Sequence, residues 1–201
     1  MTKFILAKKI EMSQIFDDKG TVHPVTWLEA GPVFVTQKKS KEKDGYVAVQ
    51  IGFGSKKEKN VKKPQKRLGN FSVFKEFRQR DESEPPLNIG DKIDASVFGE
   101  GDVVEVSGTS KGKGFQGVVK RHGFHGGPRT HGQKHSEREP GSIGAVWPQR
   151  VLKGKRMAGH MGVDRITVKN LKVIKILPDK NLMAIEGAIP GHRGSLVEVR
   201  G

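Results

Sequence analysis

The residues best suited to chemistry in this sequence are cations and histidines that alternate with glycines between positions 107 and 162. This segment, the basic stretch, holds 11 Lys and Arg against 2 acids, 13 of the 26 glycines and 5 of the 7 histidines. Lysine and arginine supply positive charge, and glycine lets backbone N–H groups approach an anion closely. The stretch is also too poor in apolar residues to pack alone. Its residues therefore indicate contact with a polyanion such as RNA or DNA.

A second basic segment at 55–69, the second basic loop, carries 7 Lys and Arg against 1 acid. We predict that cations, histidines and one tryptophan from both segments contact nucleic acid. The predicted contact residues are Lys56, Lys57, Lys62, Lys63, Lys111, Lys113, Lys120, Arg121, His122, His125, Arg129, His131, Lys134, Arg138, Trp147, Arg150, Lys153, Lys155, Arg156 and His160.

Catalysis and metal binding are alternatives for the same stretch. Four histidines lie between 122 and 135, but the chain has no cysteine and glycines interrupt any helical spacing, so we predict no metal site. The glycine pattern lacks the Lys-Ser/Thr pair of a nucleotide-binding loop, and the serines lack a nucleophile elbow. Glu137 and Glu139 are expected to pair with Arg138 and its neighbours, with RNA cleavage as the minority alternative. The prediction is no catalytic residue, no cofactor and no small-molecule substrate.

Trp147 stands far in sequence from the other apolar residues. It could fold back onto the core, near which Trp27 is expected to lie. We favour the other interpretation, in which its indole lies at the tip of a charged loop and stacks on a base or enters an RNA pocket.

The flanks that must position this stretch have the pattern of β structure. At 46–53, Val47, Val49, Ile51 and Phe53 alternate on one face. Asn70 could begin a short helix that runs to about 79, with Phe71, Phe74 and Phe77 on one face, and 81–86 would end it. Residues 115–120 also have strand character. The predicted strands are 22–28, 33–36, 46–53, 91–98, 102–106, 166–177, 182–185 and 195–199.

Many short strands joined by Gly and Pro turns predict a closed barrel or a sandwich. We expect residues 1–106 and 163–201 to form the globular core, with the second basic loop and a short helix at about 55–90. Residues 107–162 would leave this core and return to it. The chain's 201 residues fit one domain with such an excursion.

The formal net charge of +15 points to an anionic partner. No amphipathic segment pairs basic residues with an apolar face, so we expect no membrane partner. Lys3, Lys8 and Lys9 interrupt the first apolar run, which predicts neither a signal peptide nor a membrane span. With no cysteine in the chain, these features predict a cytoplasmic protein.

Three motifs resemble ribosomal protein L3, the third protein of the large ribosomal subunit, in its bacterial-type form. They are GTSKGKGFQG at 108–117, PGSIG at 140–144 and KGKRMAGHMG at 153–162. Residues 9–16, 29–32 and 44–54 look like the same family, so the resemblance runs nearly from end to end.

The resemblance implies a mainly β fold with minor α: a β-barrel of the translation-protein type, a small α+β elaboration and a long extended loop. It implies a structural constituent of the large subunit that binds 23S-type rRNA, nucleates early assembly near the 3′ end and supports the peptidyl transferase centre through that loop. The implied partners are this rRNA and neighbouring ribosomal proteins, on cytoplasmic ribosomes. A free β-barrel regulator that binds RNA or DNA is the alternative.

The sequence departs from the family pattern at the tip and before it. Val146 stands where many bacterial relatives carry a methylated glutamine, so we predict no such modification. Trp147 makes the tip more similar to that of archaeal and eukaryotic relatives. Glu137 and Glu139 replace residues that are basic or neutral in the family, which argues against phosphate contact at those two positions.

Overall fold

The computed structural model describes residues 3–78 and 87–201. The chain forms two compact units. The barrel unit comprises Met1–Thr109 and Arg165–Gly201, and the basic unit comprises Ser110–Asp164. Among the described residues, no helix combines the length and the apolar character needed to cross a bilayer.

Strands dominate the barrel unit, whereas the basic unit has two strands of three residues and one short helix. The elements in chain order are β1 (Phe4–Phe16), β2 (Val22–Ala30), β3 (Val33–Lys39), α1 (Lys41–Asp44), β4 (Ala48–Ser55), β5 (Phe71–Arg78), β6 (Lys92–Ile93), β7 (Val103–Thr109), β8 (Gly114–Gln116), α2 (Val118–His122), β9 (Gly159–Met161), β10 (Arg165–Leu177), β11 (Leu182–Glu186) and β12 (Leu196–Arg200). Short 3-10 helices lie at Glu58–Asn60, Lys63–Leu68, Ala95–Val97 and Pro178–Lys180.

Six strands close into an antiparallel barrel in the order β1, β12, β7, β10, β11 and β2. Its core is built from alternating apolar residues of these strands, including Leu6, Leu28, Val106, Ile185 and Val199, all fully buried. Closure leaves no unpaired strand edge around the barrel. The predicted fold class, mainly β with minor α, and the predicted barrel are confirmed.

A second antiparallel sheet has the order β5, β4, β3 and β6. Its apolar face belongs to the same hydrophobic core as the barrel, and the rings of Phe4 and Phe77 stack with centroids 4.5 Å apart. β1 lies at this junction, so residues 4–7 are buried on both faces of the strand. Burial on both faces explains why β1 shows no two-residue alternation in the sequence.

The helix predicted from Asn70 to about 79 is wrong over the described residues, because Phe71–Arg78 forms β5 and pairs with β4. The rest of that prediction, from 79 through 81–86, lies outside the described residues. Phenylalanine and valine favour a strand that packs against a neighbour, and this packing outweighed the helical spacing of three rings. Phe71 lies over Gly52, where a β-carbon would come within 2.5 Å of its ring.

Two further strand predictions are wrong in part. Within 91–98 only Lys92–Ile93 is extended, since Asp94 accepts a hydrogen bond from the Ser96 N–H and begins a 3-10 turn. Within 115–120 the strand ends at Gln116, and Val118–His122 forms α2. The other predicted strands are confirmed by β2, β3, β4, β7, β10, β11 and β12.

Candidate nucleic-acid interface

The basic unit begins and ends as two antiparallel arms. Ser110 N–H donates to the Asp164 carbonyl at 2.9 Å, and Lys113 N–H donates to the Met161 carbonyl at 2.9 Å. β8 and β9 then pair along the same arms. A β-carbon at Gly162 would lie 2.2 Å from the Lys111 carbonyl oxygen, so glycine is required for the arms to approach. The arms are therefore held by backbone hydrogen bonds, and Lys111 and Lys113 remain exposed.

Helix α2 connects the outgoing arm to the returning chain. The Arg121 guanidinium donates to the Met157 carbonyl at 2.7 Å, and Nε2 of His122 lies 3.0 Å from the same oxygen. Val118 is the one buried apolar residue of the basic unit among the described residues. Two of the predicted contact residues, Arg121 and His122, thus also hold the unit's own fold.

The loop after α2 folds on itself through a very close backbone approach. Gly127 N–H donates to the Glu137 carbonyl at 3.0 Å, and a β-carbon at Gly126 would lie 1.9 Å from that oxygen. The Glu137 carboxylate pairs with Arg129, Nε to Oε1, at 2.5 Å. Glu137 therefore pairs with a cation as expected, but with Arg129 instead of Arg138.

This approach forms a cleft of about 710 Å³ in the basic unit. It brings together three predicted contact residues, His122, His125 and Arg156. Sequence reasoning did not include the other polar and aromatic residues of the wall, because they meet only after 126–127 contacts 136–138. The lining side chains are His122, Phe124, His125, Gln133, Ser136, Glu139 and Arg156.

Trp147 is 80 % exposed, and its neighbour Val146 is 89 % exposed. The alternative in which Trp147 folds into the core is therefore wrong. Trp27 is half-buried in β2, and its expected position near the core stays a prediction. Base stacking by Trp147 stays a prediction.

Most of the remaining predicted contact residues are exposed cations and histidines without an ion pair among the described residues. In the barrel unit, this group consists of Lys57, Lys62 and Lys63, whereas Lys56 is half-buried; these lysines flank the 3-10 helix Glu58–Asn60. In the basic unit, this group consists of Lys111, Lys113, Lys120, His125, His131, Lys134, Arg138, Arg150, Lys153, Lys155, Arg156 and His160. The lysines and arginines of this group can offer their full charge to an external anion.

Across 3–78 and 87–201, no group of three His, Asp or Glu side chains has an arrangement that could hold a metal ion.

Two features define the class of protein. One is the closed antiparallel barrel, and the other is a unit in the same chain that is rich in exposed cations and nearly without a core. This combination is typical of small basic proteins that bind a polyanion such as RNA.

Comparison with known proteins identifies the family within this class. Residues 87–182 match ribosomal protein L3. Large ribosomal subunit protein uL3 of Pelotomaculum thermopropionicum is 49 % identical over 100 % of this chain and 97 % of its own length. The protein of the same name from Chloroherpeton thalassium is 49 % identical over 97 % of each chain. This chain belongs to the ribosomal protein L3 family.

Proposed function

We propose that this protein is a structural constituent of the large ribosomal subunit and binds 23S-type rRNA through the basic unit and the second basic loop. The observation that carries this proposal is the charge of the basic unit. It holds 11 Lys and Arg, and among the described residues only Arg129 forms an ion pair. So many unpaired cations on one small unit repel one another unless phosphates neutralise them.

Recognition would depend mainly on the backbone and the shape of the RNA. Lysine and arginine contact phosphates, and the glycine-rich arms let backbone N–H groups approach closely. The grooves of an RNA helix offer side chains few base edges to read, so contacts to phosphate and ribose dominate. In this role the protein supports the RNA and performs no catalysis itself.

The finer parts of the proposal follow from family membership. Binding near the 3′ end of the rRNA would occur early in assembly, and the segment around Trp147 would support the peptidyl transferase centre. An exposed indole next to an exposed valine favours this, because such a surface suits burial against a partner. Neighbouring large-subunit proteins are the other proposed partners, on cytoplasmic ribosomes.

Co-sedimentation with large subunits at high salt tests the proposal. A structural constituent is locked among RNA helices and stays with the particle when external charges are screened. A free RNA- or DNA-binding regulator, the alternative, dissociates under the same wash. Release of the protein in step with the salt concentration would refute the structural role.

A further inference from the structure

Glu139 is an unpaired acid in a strongly cationic unit. The other glutamate of the loop, Glu137, pairs with Arg129. The Glu139 carboxylate makes no hydrogen bond or ion pair with any described residue, although it lines the same cleft as His122 and Arg156. The proposed function leaves this unpaired carboxylate unexplained.

A carboxylate on this wall disfavours phosphate at that point. At close range two like charges repel, and the repulsion is stronger inside a cleft than in open water. The carboxylate instead accepts hydrogen bonds, so Glu139 suits a ligand group that presents N–H donors. A nucleobase edge has this character, and Arg156 of the same cleft suits the phosphate of the same nucleotide.

Guanine is the base that matches a carboxylate best. Its Watson–Crick edge presents N1–H and the N2 amino group side by side, which two carboxylate oxygens accept together. Adenine, cytosine and uracil each present a single donor group on that edge. A bidentate contact therefore selects guanine over the other three bases.

The remaining wall supplies what the rest of a guanosine nucleotide needs. Phe124 and His122 have ring centroids 5.9 Å apart and offer aromatic surface for stacking. Gln133 and Ser136 carry donors that suit O6 and N7 of guanine. The cleft, at about 710 Å³, lies within the range of about 300–1,000 Å³ typical of small-ligand sites.

We propose that this cleft binds one unpaired guanosine of the rRNA, with Glu139 accepting from its Watson–Crick edge and Arg156 facing its phosphate. The proposal rests on the proposed function, since the guanosine belongs to the RNA that the basic unit contacts. It adds a base-specific site to binding that is otherwise directed at phosphate and shape.

The test is a titration of the full chain with GMP, IMP and AMP, followed by the NMR shifts of the Gly126 and Gly127 amides. We expect GMP to bind about tenfold more tightly than AMP, with IMP, which lacks the N2 amino group, between them. In Glu139→Gln the ratio of the AMP and GMP dissociation constants should fall to near one. Glu137→Gln is the matched control, with the same charge change in the same loop, and should keep the wild-type ratio.

The ratio of the AMP and GMP dissociation constants is the readout, because removing any acidic side chain strengthens the binding of every anion. If Glu139→Gln tightens GMP and AMP equally and the ratio persists, the carboxylate acts only through its charge and the proposal is wrong. Equal affinity of the wild type for GMP and AMP, or no shift of either amide, also overturns it.

A second arm identifies the source of the guanosine. A U-rich RNA nonamer with one central guanosine should bind at least about tenfold more tightly than GMP, because flanking phosphates add contacts to the cations. GMP binding as tight as the nonamer would assign the cleft to a free nucleotide and overturn the proposal. If the wild-type protein binds rRNA but shows no preference for guanine, this inference alone is refuted, whereas a wild-type protein that does not bind rRNA refutes the proposed function.

Discussion

The two units of this chain are held together by different interactions. The barrel unit buries large apolar side chains from two sheets in one core, with Ile5, Leu28 and Ile185 fully buried. The basic unit has Val118 as its one buried apolar residue within the described part of the chain. It is held instead by backbone hydrogen bonds and by glycines that let strands and loops approach. We therefore expect burial to make the first unit stable alone and the second unit to gain order by binding an anion.

The largest expected effect is that of salt on RNA binding, which belongs to the basic unit. With about 10 phosphate contacts, the logarithm of the binding constant should fall against the logarithm of salt concentration with a slope of about −7 to −9. Between about 50 and about 200 mM salt the affinity should then decrease by about 10⁴-fold or more. Filter binding of the purified protein to its rRNA fragment measures the slope. A flat dependence would contradict the electrostatic argument.

Excision of the basic unit tests whether the barrel unit folds without it and how much of the rRNA affinity the basic unit supplies. Thr109 of β7 pairs with Arg165 of β10, so a two-residue Asn-Gly turn in place of Ser110–Asp164 would close a hairpin. We expect rRNA affinity to fall by about 10³-fold, with a shallower salt slope from the remaining basic loop.

Circular dichroism and thermal melting of the shortened chain provide the control. The barrel should keep its strand signal and a single cooperative transition. If the shortened chain fails to fold, the barrel depends on the basic unit and the comparison between the units is wrong.

Truncation of one leucine in each unit compares how much the stability of each unit depends on buried apolar side chains. Leu28→Ala in β2 should lower the free energy of unfolding by about 2–5 kcal/mol, since it opens a cavity in the core. Leu152→Ala, at a side chain that is 60 % exposed, should change it by less than about 0.5 kcal/mol. Urea denaturation measures both values. Similar losses for the two variants would show that Leu152 belongs to a core.

The pH dependence of folding should also come from the barrel unit. Nδ1 of His23 lies 3.0 Å from Glu186 Oε1, and Nε2 lies 3.7 Å from Asp17 Oδ2. The hydrogen bond to Glu186, followed by the charges of both acids, raises the pKa of His23 above its ordinary 6.5. The protonated ring therefore stabilises the fold below pH 6.5, and this contribution is lost as the pH rises through the raised pKa.

Thermal melting at a series of pH values checks this prediction. The melting temperature should decrease as the pH rises above about 6.5, and His23→Gln should flatten that decrease. The titration of Asp17 lies outside this pH range, because a hydrogen bond from the N–H of Thr21 lowers the pKa of the Asp17 carboxyl below the ordinary 3.8. His192→Gln, at an exposed histidine of the same unit, is the control and should keep the wild-type profile.

Trp147→Ala should have the smallest effect on the isolated protein. With the indole 80 % exposed, the free energy of unfolding should change by less than about 0.5 kcal/mol, and rRNA affinity should stay nearly intact. Peptide-bond formation by ribosomes that contain the variant should be impaired. A destabilised barrel unit with normal ribosome activity would contradict the role proposed for this residue.

The sequence predicted most of the strands because several of them alternate apolar and polar residues, a pattern that is visible locally. Val47 to Phe53 and the segments after 163 alternate apolar and polar residues between Gly and Pro turns, which leaves little room for another structure. The sequence did not predict β1, because the strand is buried on both faces at its start and carries Lys8, Lys9 and Glu11 further on. The sequence predicts a helix at β5 because its three phenylalanines are spaced three residues apart, and only pairing with β4 makes the segment a strand.

At the candidate interface, the sequence identified the cations because charge needs no tertiary structure to be recognised. It could not predict the cleft, since Phe124, Gln133 and Ser136 become neighbours through the backbone approach of Gly126 to Glu137. The same limit applies to Arg121, whose bond to the Met157 carbonyl joins positions 36 residues apart.

The order of strands around the barrel has a consequence for synthesis of the chain. β1, the first strand made, pairs on one side with β2 and on the other with β12, the last strand in the chain. One edge of β1 therefore stays unpaired until the chain between β1 and β12 has been translated. An unpaired strand edge can pair with other chains. The growing polypeptide is most vulnerable to aggregation in this interval, so a chaperone that covers β1 until β12 emerges should raise the yield of folded protein.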